Sequence, residues 1–260
     1  MTLGLLLLAA PLAAPTAAEP DSAVLAAAES AFDEGKALSG DESKARPAFA
    51  RAAAGYDELW RRGLRNADLA LNRAAAHRLA GNMPAAIAAL HEGLAAARWS
   101  RPLQAALEDA RGAVAYPAAG DLAGQCRPPP PRGLGTRFSP ADAWAAVGAL
   151  WLLACGGLAR FAMTRAPGWL GFAAAAATAA ALLGALWVRD QRREDRDPVV
   201  VVARDATLRR GNADAYPARL EAKLPRGVEA RALAARGGWV QVRLAGGAVG
   251  WLPESAVVRP

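Results

Sequence analysis

Apolar and alanine positions recur every three or four residues from about Ala23 to Tyr116. Breaks at Ser39-Gly40-Asp41, Gly63, Gly81-Asn82 and Ser100-Arg101-Pro102 divide that stretch into five segments. The period predicts helices near residues 23–38, 45–60, 67–80, 84–97 and 103–116. Pro84 and Pro102 fall near helix starts, where a missing N–H is harmless. Mid-chain, the pattern gives way to two uncharged apolar runs, residues 143–159 and 166–188. The second is 23 residues long; as a helix it reaches about 35 Å, against a hydrocarbon core of about 30 Å. The first is extended past Arg160, which is placed to snorkel, by Phe161, Ala162 and Met163. The spans are therefore set at 142–163 and 166–188. The link around Arg165 and Pro167 is too short to cross a membrane, so the two runs form a hairpin. A hairpin returns the chain to the side it left, and both flanking regions face one compartment.

After Pro198 the period falls to two. Strand-like runs occur at residues 199–202, 228–233, 239–244 and 249–252, with Gly237-Gly238 and Ala245-Gly246-Gly247 as turns. In residues 239–244 large apolar side chains alternate with Gln241 and Arg243, as in a strand with one wet face. The chain thus divides into a helical region at 19–119, a Pro-rich linker at 120–141, the hairpin, a charged juxtamembrane linker at 189–197 and a β region at 198–260. Pro128–Pro131 reads as a stiff spacer that holds the helical region off the bilayer.

Composition changes this picture in two places. Hydrophobic residues make up 53% of the 260 residues, but so many are alanine that the helices must pack through small side chains. The net charge of +7 is uneven: residues 19–125 carry −2 and residues 198–260 carry +5. Lys/Arg runs with interleaved aromatics are missing, which argues against nucleic acid as a partner. Residues 1–18 combine an apolar run from Leu3 to Leu8 with small residues before Glu19-Pro20 and read as a secretory signal peptide cleaved near Ala18. Export places both flanking regions outside the cytoplasm. Arginine counts on the two sides of the hairpin do not decide its orientation. Cys126, read as a linker residue outside the first span, and Cys155 inside it form no metal or redox motif. Cys126 is accordingly expected to react with an impermeant thiol reagent.

Catalytic signatures are lacking. His77 and His91, the two histidines, sit 14 residues apart with no cysteine or acidic cluster beside them in sequence. No Gly-x-Ser-x-Gly elbow or phosphate loop occurs, and Gly133-Leu134-Gly135 lacks a third glycine and a preceding strand. Asp33-Glu34 and Glu108-Asp109 read as solvated helix-surface carboxylates. No enzymatic activity, metal or cofactor is expected.

Residues 67–100 resemble a tetratricopeptide repeat, a helix–turn–helix unit of about 34 residues. The matching positions are Ala70, Ala74, His77, Gly81, Met83, Ala86, Leu90, Gly93 and Leu94, with Arg73 and His77 standing where the family has apolar and aromatic side chains. Ala45, Phe49 and Ala52 echo a second helix of the same kind. Two units and a closing helix come close to the roughly three units that a stable stack needs, so a partner or the membrane is expected to cover the remaining apolar surface. The resemblance implies a concave face lined by Asp68, Leu71, Ala75 and Arg78. The order Gly-Gly-Trp-Val-Gln-Val-Arg-Leu, a Gly-rich turn and Val-Gly-Trp-Leu-Pro-Glu-Ser-Ala-Val-Val, with Thr207-Leu208-Arg209 upstream, resembles the bacterial SH3 family and implies a five-stranded barrel. Gly238 and Ala256 stand where the peptide-binding relatives carry groove aromatics, so Trp239 and Trp251 read as packing residues.

The expected fold class is a multidomain membrane protein: an α-helical tetratricopeptide-like repeat, a two-helix transmembrane hairpin and a C-terminal all-β SH3-like barrel. That order resembles the tetratricopeptide/SH3 membrane proteins of bacterial aerotolerance (Bat) operons. The resemblance implies a non-enzymatic inner-membrane scaffold of an envelope stress complex, both flanking domains periplasmic. Its implied partners are von Willebrand A-domain membrane proteins and a MoxR-type ATPase system. The alternative is a peptidoglycan-binding or sensing protein, with Tyr216, Arg243 or Trp251 on the wall.

Overall fold

The structure, a computed structural model, describes residues 20–120, 122, 124–128, 140–194 and 199–260. The expected signal peptide, most of the linker at 120–141 including Pro129, Pro130 and Pro131, and part of the juxtamembrane linker lie outside the described residues. Five helices form the first layer: α1 (Asp21–Ala37), α2 (Glu42–Arg61), α3 (Ala67–Leu79), α4 (Met83–Ala96) and α5 (Arg101–Gly112). Their starts are chemically marked. Asp41, Asn66, Asn82 and Ser100 each accept a hydrogen bond from a first-turn N–H of the helix that follows, which satisfies a donor no helix can pair internally. Consecutive helices pack as antiparallel neighbours, and α3 also touches α5. Small residues set how close they come. A Cβ built on Gly93 of α4 lies 2.5 Å from Ala70 Cβ of α3 and 3.2 Å from a Leu103 methyl of α5. Gly93→Ala is expected to destabilise the fold by about 1–3 kcal/mol through overpacking, measured by denaturant unfolding.

Two long helices follow, α6 (Pro140–Thr164) and α7 (Pro167–Glu194), packed side by side. Within them, residues 141–164 and 167–189 are long and apolar enough to cross a membrane. They are not core helices. Trp151, Leu152, Leu158, Leu170 and Leu182 are exposed, while Ala154, Ala173, Ala176 and Ala180 are buried where the two helices meet. Arg165, at the turn, takes a left-handed φ of 56° and donates its N–H to Phe161 O, closing α6 in the way a C-terminal glycine usually does.

The C-terminal region is a five-stranded antiparallel sheet of order β4-β3-β2-β1-β5, built from β1 (Val199–Val202), β2 (Glu229–Arg236), β3 (Trp239–Leu244), β4 (Val249–Pro253) and β5 (Val257–Val258). On β3 and β4, Val240, Val242, Leu244 and Leu252 face inward; Trp239, Gln241, Arg243 and Trp251 face outward. β2 runs three residues beyond the predicted strand, through a register shift between Ala232 and Ala234.

The helices and the sheet share one core. β1 and β5 lie on α4, and a single cluster joins Ile87, Leu90, Leu103 and Leu107 to Val200, Val201, Val202 and Val228. Gly227, at φ 88°, permits this close approach: a Cβ there lies 2.9 Å from a Val114 methyl. The apolar surface expected to await a partner or the membrane is therefore covered, on its α4 side, by the chain's own sheet.

Two expectations about the linker are corrected. Cys126 is 1% exposed, in that shared core with Leu122, and so cannot serve as a thiol-accessible topology reporter. Gln125 between them straps the segment to the β3–β4 turn, accepting from Gly246 N at its carbonyl (3.1 Å) and from Ala248 N at its side chain (3.3 Å). Nor does the segment hold the helical layer away from the apolar hairpin, because Trp99 stacks directly on Trp187 of α7.

Candidate functional site

A groove of about 260 Å³ opens between α3 and α5, with α4 as its floor. Leu71, Ala74, Ala75 and Arg78 come from α3, Ala86 and Leu90 from α4, Ala106, Asp109 and Ala110 from α5. The spacing of the α3 residues explains the wall: Leu71, Ala75 and Arg78 recur at four and three residues and so share one helix face. The floor is made of methyl groups because Ala74 and Ala86 are buried where the helices meet. Arg78 and Asp109, both exposed, place opposite charges on opposite walls. Such a trough offers apolar contact at its base and polar groups at its rim, from Arg78, Asp109 and the exposed Asn72, which suits a short peptide segment. Among the described residues no group of three or more His, Cys, Asp or Glu is arranged to hold a metal.

Of the four residues expected on the concave face, Leu71, Ala75 and Arg78 line the groove, whereas Asp68 is exposed and does not. The three β-region candidates lie elsewhere. Trp251 on β4 pairs with Gln241 across the sheet, and Arg243 stands two residues along β3 on the same outer face. Tyr216 is 49% exposed and packs over Gly211; its carbonyl accepts from Arg209, whose backbone in turn exchanges both hydrogen bonds with Trp251. The structure therefore links Tyr216 to Trp251 through Arg209 and leaves all three apart from the groove.

Two ion-pair networks stand behind these surfaces. In the first, Arg73 of α3 donates to Asp57 of α2 and to Glu92 of α4, and His77 Nε2 lies 3.1 Å from Asp57 Oδ2. Burial pushes the Asp57 carboxyl up, but hydrogen bonds from His77 and Arg73 outweigh it and hold the group below its usual range. The Arg73 guanidinium also lies 5.4 Å from the Trp60 ring centroid. The network thus ties three helices together on the wall opposite the groove side of α3.

The second network joins the two layers. Glu229, the first residue of β2, is 6% exposed. Arg111 of α5 grips it with two bonds, Nε to Oε1 at 2.7 Å and Nη2 to Oε2 at 2.8 Å, while His91 Nε2 of α4 lies 2.7 Å from Oε2. Burial raises the carboxyl, and the hydrogen bonds from Arg111 and His91 overcome that and bring it down to about 2. Beside this pair burial pushes the Tyr116 phenol up to about 12, with the Glu229 charge adding to the effect. Sequence reasoning missed this clamp. Its one trace is an acidic residue between Val228 and Ala230 in an otherwise apolar run, and its partners are 138 and 118 residues away.

No protein-family model, curated protein or solved structure matches the chain.

Proposed function

We propose that the protein is a non-enzymatic membrane scaffold that binds a protein segment in the α3–α5 groove. The observation that carries this reading is the groove itself, an apolar trough with Arg78 and Asp109 across its rim, on a body attached to two helices long enough to span a bilayer. On this reading the helical layer is a tetratricopeptide-like stack and the sheet an SH3-like domain. The sheet's inner face covers α4, so partner binding falls to the helical groove. The hairpin spans the inner membrane and both flanking regions lie in the periplasm, in keeping with the apolar N-terminal residues. The order of these parts resembles the Bat-operon tetratricopeptide/SH3 proteins, and that resemblance supports a role in an envelope stress or aerotolerance complex with von Willebrand A-domain membrane proteins and a MoxR-type ATPase system.

Co-purification of the full chain with a von Willebrand A-domain partner tests the proposal. Ala75→Trp fills the trough and Arg78→Glu makes both walls acidic; each is expected to reduce the partner recovered by about tenfold or more, the effect of losing a central contact. Equal recovery with both variants, each folded by circular dichroism, removes the groove as the binding site.

A further inference from the structure

The closed end of the hairpin carries positive charge with no counter-charge. Arg160 lies one turn before the end of α6, Arg165 lies in the link to α7, and both are exposed. Thr164 Oγ1 donates to Arg160 O (2.8 Å) and Arg165 N to Phe161 O (2.7 Å), which closes the last turn of α6 within the chain. No Asp or Glu occurs from residue 143 to residue 189, and among the described residues neither guanidinium meets a carboxylate. Asp142 and Asp190 stand at the open end of the hairpin, about 27 Å or more away along the helices. The helical layer also meets the hairpin at that far end, where Trp99 stacks on Trp187.

Aromatic side chains surround the same tip. Trp169 and Phe172, on the first two turns of α7, are exposed and meet edge to face with centroids 6.1 Å apart. Gly157 of α6 leaves room for Phe172, since a Cβ there lies 3.1 Å from its ring. Tryptophans at the ends of membrane spans sit at the depth of the lipid headgroups. A guanidinium one turn inside a span is costly in hydrocarbon and extends to that same depth. With no carboxylate of the chain to receive them, both cations are turned to what lies outside it.

We propose that the closed end of the hairpin is an anionic-phospholipid site, in which Arg160 and Arg165 bind headgroup phosphates and Trp169 and Phe172 pack on the upper acyl chains. This rests on the reading that α6 and α7 span a bilayer. Guanidinium groups suit the ligand because each gives paired N–H bonds to one phosphate. A lipid of net negative charge is favoured over a zwitterionic one, whose ammonium finds no carboxylate at this end. With both flanking regions in the periplasm, the site lies in the leaflet that faces the cytoplasm.

Tryptophan quenching of the full chain tests the site, in bilayers of equal parts phosphatidylcholine and phosphatidylglycerol with brominated acyl chains on one lipid or the other. The share of quenching lost with Trp169→Phe reports the closed end. Phosphatidylglycerol is expected to occupy that position about fivefold or more over phosphatidylcholine, the worth of roughly one surface cation. Arg160→Gln with Arg165→Asn brings the two lipids to parity, and asparagine tolerates the left-handed turn at residue 165. Trp151, exposed in mid-span and isolated in the same way with Trp151→Phe, stays quenched in each variant that is inserted. Parity in the wild-type chain, or a preference that survives the double substitution, overturns the proposal. So does a preference abolished by inorganic phosphate but not by chloride at equal ionic strength, which assigns the arginines to a soluble anion. Trp151 unquenched by either lipid overturns the spanning reading itself and is distinguishable, because every other outcome keeps Trp151 in the bilayer.

Discussion

Replacing Glu229 with alanine lowers the stability of the helix–sheet body by about 3–5 kcal/mol, the cost of removing one partner of a buried ion pair. Arg111 then keeps only Glu108, whose side chain is 54% exposed, and its charge is left against the core beside Tyr116. The loss is confined to the junction of the layers, so the β1–α4 contact opens before the helices unfold. Denaturant unfolding of Glu229→Ala, with Lys223→Ala as an exposed control, checks the magnitude. The same residue sets an acid limit. Its carboxyl falls from 4.5 to about 2 on folding. Its contribution is therefore complete above about pH 4.5 and is lost as pH falls towards 2, with a total of about 3 kcal/mol. Glu229→Gln removes this slope; a wild-type acid transition unchanged by that substitution contradicts the clamp.

The second large effect is at Arg73. Arg73→Met is expected to cost about 2–3 kcal/mol, less than a fully buried pair because Asp57 keeps 30% of its side-chain surface in water. Glu92 then loses its guanidinium partner, Asp57 keeps only His77 Nε2 at 3.1 Å, and Trp60 loses one of its two guanidinium neighbours. Adding Asp57→Asn and Glu92→Gln to Arg73→Met recovers most of the loss, since the penalty lies in the uncompensated carboxylates rather than in the missing arginine. A triple variant less stable than Arg73→Met assigns the effect to packing instead. On the tetratricopeptide-like reading, Arg73 and His77 are the two departures from the repeat pattern, and the network gives their reason. A polar bridge across α2, α3 and α4 takes the place of an apolar contact, and its partners sit on neighbouring helices at matching depth.

Local order was legible and long-range pairing was not. The 3.6-residue period located α3 and α4 to within a residue at either end, because Asn66, Asn82 and Gly81 mark those ends by caps and a left-handed turn. It overran α5, expected to reach residue 116. The helix ends at Gly112, and Val114 turns into the core shared with the sheet, so an apolar residue in helical phase serves a different contact. The end of β2 was missed because Ala234 and Ala235 are weak strand formers, held by pairing with β3 rather than by propensity. The tetratricopeptide resemblance pointed to Leu71, Ala75 and Arg78, which line the groove, and to Asp68, which does not, while Asp109 across the rim was read as a solvated surface carboxylate. The union of the two layers was invisible, since Gly227 against Val114 and Glu229 against Arg111 each join residues more than a hundred positions apart.

On the proposed function, the groove holds a protein partner while the hairpin holds the body on the membrane. Site-specific photo-crosslinking in intact membranes tests it most directly, with a benzophenone amino acid placed at Ala75 inside the groove or at Ala54, an exposed α2 residue outside it. An adduct with a von Willebrand A-domain membrane protein is expected from position 75, suppressed by Arg78→Glu and absent from position 54. Equal adducts from both positions, or none from position 75 while the partner still co-purifies, would contradict it.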